Sequence, residues 1–312
     1  GNAPTFMNID PSTILDYQEH LYVFDPETEW FQYYNDGSLE IGKFDGNIYG
    51  IPFSTQGYAL CYNKRVVEAV IPDFDPTTIN TQDALLAFFE TLDAAGVPPT
   101  MIHGANWSVG CHYLGLAYAV QGRDTASGDA FIESLIDGTA DIADDPLFQG
   151  YMDTFDMLIQ YNYNKEDPLV GDYNADIQAF AEGKCATFFM GDWMWTVIGT
   201  FETKDTEFGY IPVPWSNDPD VYGNSEVVVS LPKVMCIDAS QSTPEQQAAA
   251  LDMLEWMLTT TEGQEYFIGS GFSMPFNNVR SDAEYNSMTA AIAEYSAVGK
   301  TINIGCFTYL TG

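Results

Sequence analysis

A chain of 312 residues with 46% apolar and 14% aromatic side chains carries material for about two packed domains, which argues against a disordered or fibrous protein. Ten Lys and Arg stand against 45 Asp and Glu, a formal net charge of −35, so phosphate backbones and anionic lipid surfaces are repelled and nucleic acid is not an expected partner. No stretch reaches the ~18 uninterrupted apolar residues of a membrane span, and no charged leader opens the chain.

The predicted elements alternate between strand and helix. "NIYGIPFSTQGYALCYNK" (47–64) places apolar residues on both sides of a polar break at Ser54 to Gly57, the pattern of two short strands joined by an extended crossing. "NTQDALLAFFETLDAAG" carries Leu85, Leu86, Phe88, Phe89 and Leu92 at helical spacing, with Asn80 or Thr81 as cap and Gly96 as stop. "PLFQGYMDTFDMLIQY" is a second amphipathic helix with Phe148, Met152, Phe155, Leu158 and Ile159 on one face. "IQAFAEGKCATFFMG" predicts a short helix ended by Gly183 and a buried strand from Cys185 to Met190.

"MGDWMWTVIG" (190–199) follows, with two of the six tryptophans one residue apart. Met190 ends the strand, Gly191 turns the chain and Asp192 is expected to cap a helical turn and a half. On that reading Trp193 and Trp195 diverge, one towards the core and one beyond the carboxyl end of the strand, where open α/β sheets bind ligands. Two further strands are predicted in "FGYIPVPW" and "SEVVVSLPKVMCI". The helical "STPEQQAAALDMLEWMLTTTEGQEYFIG" opens with a Ser242/Glu245 capping box and Pro244 in its first turn. The order is α/β throughout.

Catalytic and metal signatures are weak. Cys61, Cys111, Cys185, Cys236 and Cys306 form no CxxC, and read as small apolar residues, with at least one outside any intrachain bridge. His20, His103 and His112 compose no motif, and there is no nucleophile elbow, phosphate loop or His-Glu-x-x-His. "DPDVYGNSE" sets Asp218 and Asp220 at calcium-loop spacing, but Tyr222 and Val229 stand where the fifth and twelfth positions need oxygen ligands. Neither enzyme activity, metal nor cofactor is expected.

Four segments in register, "DGNIYGIPFSTQGYALCYNK", "AFAEGKCATFFMGDWMW", "FGYIPVPW" and "MLEWMLTTTEGQEYFIGSGFSMPFN", resemble the extracellular solute-binding proteins of carbohydrate ABC transporters, the family 1 group that includes maltose-binding protein. The resemblance implies a two-lobed α/β clamshell whose chain crosses between lobes three times and closes on a sugar by hinge motion. Its partners would be the permease subunits of an importer, and its location extracellular or periplasmic, as a monomer tethered by an upstream lipid. Carried over by position, Trp193 matches a tryptophan that stacks on a pyranose ring, and Trp107 falls where relatives place a second aromatic. Gln56, six residues before Tyr62, Glu226 and Asp10 fall where relatives have polar contacts.

Saccharides present C–H faces and a rim of hydroxyls, so flat aromatics with forking carboxylates and amides suit them, and Asp192 is expected to contribute as well as cap. The expected lobes are 1–54 with 228–270 and 57–225 with 275–312, with hinges near 54–57, 226–228 and 270–275. The resemblance also implies that the opening β-α-β portion of the first lobe and the closing segment of the second lie outside this sequence. A secreted carbohydrate-active enzyme and a rigid carbohydrate-binding surface protein remain as alternatives.

Overall fold

Alternation along one strand organises the larger part of the molecule. In the computed structural model, which describes residues 4–304, every side chain from Gly57 to Asn63 is buried. Tyr58, Leu60 and Tyr62 enter one apolar cluster, while Ala59 and Cys61 enter another. A strand sends successive side chains to opposite faces of its sheet, so this run is covered on both sides.

The chain divides into two compact units, residues 1–56 with 230–285 and residues 57–229 with 286–312. In the larger unit the sheet runs Thr301–Ile302, Val227–Ser230, Gln56–Asn63, Thr187–Gly191, Thr100–Met101, and Phe208–Ile211 also pairs with Gln56–Asn63. Tyr58 lies opposite Gly191 in antiparallel register, and Met101 lies opposite Phe188 in parallel register. The beginning of one strand and the carboxyl ends of two neighbours therefore share one edge.

Helices Gln82–Ala94, Pro146–Gln160 and Tyr173–Ala181 pack in this unit. Their first turns are capped by Thr81, Asp145 and Asp172, whose side-chain oxygens accept otherwise orphaned backbone N–H groups. Gly96 and Gly183 follow helix ends with φ of 77° and 76°, a conformation that costs glycine little. The Pro146–Gln160 helix buries Phe148, Tyr151 and Leu158, whereas Met152, expected on the same face as Phe148 and Leu158, is exposed.

The smaller unit holds an antiparallel sheet in the order Phe6–Ile9, Val234–Ile237, Ile51–Pro52. Its core joins Ile51, Met235 and Ile237 to Leu254, Leu258 and Phe267 of two helices, Pro244–Thr259 and Thr261–Gly269. The capping box belongs to Thr243 and Gln246, not to Ser242 and Glu245. Pro244 fills the first helical position, where its missing N–H costs nothing, and that fixes the residue before it as the cap. The expected single helix breaks at Thr260, whose extended backbone ends one helix while its hydroxyl accepts the Gly263 N–H of the next.

"SEVVVSLPKVMCI" likewise makes two strands, one in each unit. The break falls at Leu231 to Lys233, where Pro232 has no N–H to continue a ladder. Cys61, Cys185 and Cys236 are buried and Cys111 is half-buried, while Cys306 lies outside the described residues. Among the described residues no helix is long and apolar enough to cross a membrane.

Candidate functional site

The Thr187–Gly191 strand is apolar to its end, and the chain then tightens into a 3-10 turn, Asp192–Met194, followed by a short helix, Trp195–Ile198. Met194 is fully buried, which anchors the turn and leaves Trp193 and Trp195 half-buried on either side of it. Trp195 packs only against the second apolar cluster of this unit, whereas Trp193 touches both. The Trp193 indole folds back over Gly191, where a Cβ would meet its ring carbons at 2.0 Å and 2.4 Å.

Strand order brings four more rings to this indole. Tyr58, from the neighbouring strand, lies 6.0 Å away edge-on. His112 lies 5.2 Å away, stacks on Tyr58 at 4.5 Å, and accepts the Tyr58 hydroxyl through its backbone carbonyl at 3.2 Å. Trp107 meets Trp193 edge-on at 6.4 Å. Trp107 and His112 both belong to Asn106–Tyr113, which winds as a π-helix, a form that recurs at functional sites. Tyr173, the first residue of the Tyr173–Ala181 helix, sits 5.8 Å from Trp107.

His103 closes the group. It follows the Thr100–Met101 strand, lies 5.6 Å from both Trp107 and Tyr173, and its Nδ1 is 2.9 Å from Asp176 Oδ2. Burial pushes the Asp176 carboxyl up, against the hydrogen bond and the charge of His103. Trp107, His112, Tyr173 and Trp193 are all half-buried, so the cluster is neither a closed core nor a scatter of surface residues. Tyr58, His103, His112 and Tyr173 are absent from the sequence-derived site because their meeting depends on strand neighbours far apart in the chain.

The other expected site residues are not among these rings. Asp192 is fully enclosed, so its carboxylate cannot fork to an external hydroxyl. Its side chain makes no cap; Oδ1 accepts the Gly57 N–H at 3.3 Å, and Oδ2 has no partner. Glu226 is 8% exposed because its Oε2 accepts the N–H groups of Gly223 and Ser225 at 2.9 Å and 3.1 Å, with Arg123 4.0 Å from Oε1. Asp10, exposed in the smaller unit, is ion-paired with Lys233 at 2.6 Å. Gln56 is half-buried at the start of its strand and is the last residue of the first segment of the smaller unit.

The contact between Gly191 and the indole gives a sharp test. Gly191→Ala is expected to push the Trp193 ring out of place, costing about 1–3 kcal/mol of stability as an overpacking substitution. The check is thermal denaturation together with the intrinsic tryptophan emission; an unchanged emission and melting point would mean that the ring does not rest on Gly191.

Relatives can be set beside this geometry. Residues 1–294 match the family model described as bacterial extracellular solute-binding protein. An uncharacterized ABC transporter extracellular-binding protein of Pyrococcus horikoshii is 26% identical over 177 residues, which cover 55% of this chain and 37% of that relative. The chain thus spans little more than a third of that relative's length. Among solved structures, RafE in complex with raffinose is similar at a TM-score of 0.76 and 19% identity, over 97% of this chain and 76% of that one. A chitin oligosaccharide binding protein gives 0.76 at 17% identity over 97% and 74%, and maltose-bound MalE3 of T. maritima gives 0.75 at 18% over 99% and 76%. At such identities the likeness speaks to the fold, which is that of solute-binding proteins; the family match over most of the length makes this chain a member of the bacterial extracellular solute-binding proteins.

Proposed function

We propose that this protein is the solute-receiving component of an ABC importer and that its solute is a sugar or oligosaccharide. The observation that carries this reading is the half-buried group of rings around Trp193 at the strand edge of the larger unit. Trp193 and Trp107 would lie against the C–H faces of pyranose rings, and Tyr173 and His103 would offer polar atoms to hydroxyls. Support comes from three structural neighbours, RafE in complex with raffinose, a chitin oligosaccharide binding protein and maltose-bound MalE3.

Binding without turnover follows from this reading, with permease subunits as partners and attachment by an upstream lipid. Gln56, next to the boundary between the units, would supply a polar contact, and segments 54–57, 226–228 and 270–275 would act as hinges. Asp192 would act by positioning, while the carboxylates of Asp10 and Glu226 are engaged within the chain.

The test is a thermal-shift screen over mono- and oligosaccharides, since a solute bound only by the native state raises the melting temperature. Any hit is then followed by calorimetry and small-angle scattering. A receptor of this kind should bind the sugar unchanged and become more compact. A rigid carbohydrate-binding protein would show no compaction, and a glycosidase would release products; either result would overturn the proposal.

A further inference from the structure

Recognition by ring faces leaves open what charge the solute carries, and the distribution of ionic groups addresses that question. Eight of the ten Lys and Arg side chains lie within 4.0 Å of a carboxylate, from Lys43 on Glu40 to Arg280 on Glu265. Lys204 donates to the carbonyls of Gly199 and Phe201. Lys300 is exposed and precedes the Thr301–Ile302 strand, at the opposite edge of the sheet from Thr100–Met101. The cation–ring contact among the described residues is Arg123 over Tyr222, 4.6 Å from its centroid, and Tyr222 is not one of the rings around Trp193.

The carboxylates are placed differently. Asp176 stands against His103 within the cluster, and Asp172, one residue before Tyr173, covers the positive end of the Tyr173–Ala181 helix by accepting the Ala175 N–H at 2.9 Å. The two histidines of the group are held by their neighbours: His103 faces Asp176 and His112 stacks on Tyr58. Ring faces are themselves negative in their quadrupole, and they attract ammonium groups and offer nothing to carboxylates. Over all of this lies the field of a chain with a net charge of −35.

We infer that the aromatic cluster selects its solute by charge: among sugars of equal shape, one bearing an ammonium group binds more tightly than its neutral form, and one bearing a carboxylate binds more weakly. Phosphorylated sugars fall with the carboxylates. This inference rests on the saccharide reading above and narrows it to neutral and aminated solutes.

The experiment uses sugars differing only at C6, as hydroxymethyl, aminomethyl or carboxylate, in the gluco and galacto series, titrated calorimetrically into the whole chain at neutral pH. The expected order is ammonium, neutral, carboxylate, with at least a tenfold gap between the extremes, about 1.4 kcal/mol. Raising the salt should weaken the ammonium form, strengthen the carboxylate form and leave the neutral form unchanged, because only a charge interaction is screened. Forms that bind equally, a carboxylate that binds most tightly, or a gap indifferent to salt would overturn the charge rule while leaving sugar binding in place. If no neutral sugar binds at all, the saccharide reading itself has failed and takes the rule with it.

Discussion

Trp193→Ala should weaken sugar binding at least tenfold, about 1.4 kcal/mol, and do so in a protein that still folds. Trp193 lies against three aromatic side chains, those of Tyr58, Trp107 and His112, so its removal takes away a stacking surface and also loosens the rings that would share the solute. Replacing a closed-core tryptophan by alanine costs about 3–5 kcal/mol, and a half-exposed one should cost less, about 2 kcal/mol. That loss is tolerable within the ~5–15 kcal/mol of an ordinary folded chain. Trp195→Ala is the matched control. Its ring is equally half-buried but packs only in the second cluster, so it should lower the melting point while leaving affinity alone. Calorimetric titration of both variants decides: retained affinity in Trp193→Ala removes this indole from the site, and equal losses in both variants reduce its role to packing.

Asp192→Asn should stabilise the protein increasingly as the pH rises. Burial pushes the Asp192 carboxyl well above the usual carboxylate range, only partly opposed by backbone N–H donors that include Gly57. The sign follows from linkage. With the folded-state pKa raised, the contribution of Asp192 to stability is fully present below the unfolded pKa of about 3.9. It is lost as the pH climbs through the folded pKa, because the unfolded chain releases the proton more readily. Asparagine keeps an oxygen for the Gly57 N–H and cannot ionise. The two proteins should therefore melt alike near pH 4 and diverge towards alkaline pH. An enclosed, partly unpaired polar group sets the scale at about 1–3 kcal/mol. Melting curves across pH provide the measurement; a gap that is constant or shrinks with pH would show that this carboxylate is ionised in the fold without penalty. Because Asp192 lies just before Trp193 and is bonded to the first residue of the larger unit, affinity in the same variant tests its positioning role.

Local chemistry was largely readable from the residues. Thr81 and Gly96 bracket a helix through capping and left-handed geometry that the neighbouring residues alone specify, and Gly183 ends another in the same way. Where two local solutions overlapped, as with Ser242/Glu245 and Thr243/Gln246, the decision lay with Pro244 at the first helical position. Trp193 and Trp107, both singled out through the resemblance to solute-binding proteins, meet edge-on within one group of rings. The enclosure of Asp192 was not readable, because its partner Gly57 stands 135 residues away. Tyr58, His103 and Tyr173 were hidden for the same reason, since they join this group of rings through strand neighbours and helix placement that no short window of sequence encodes.

The strand from Gly57 to Asn63 has a consequence for how this half of the protein melts. Since one short segment supplies side chains to two separate apolar interiors, neither interior can come apart and leave the other intact. Loss of structure there should run as one cooperative step, and amide protons on both flanks of the sheet should exchange with a common opening free energy.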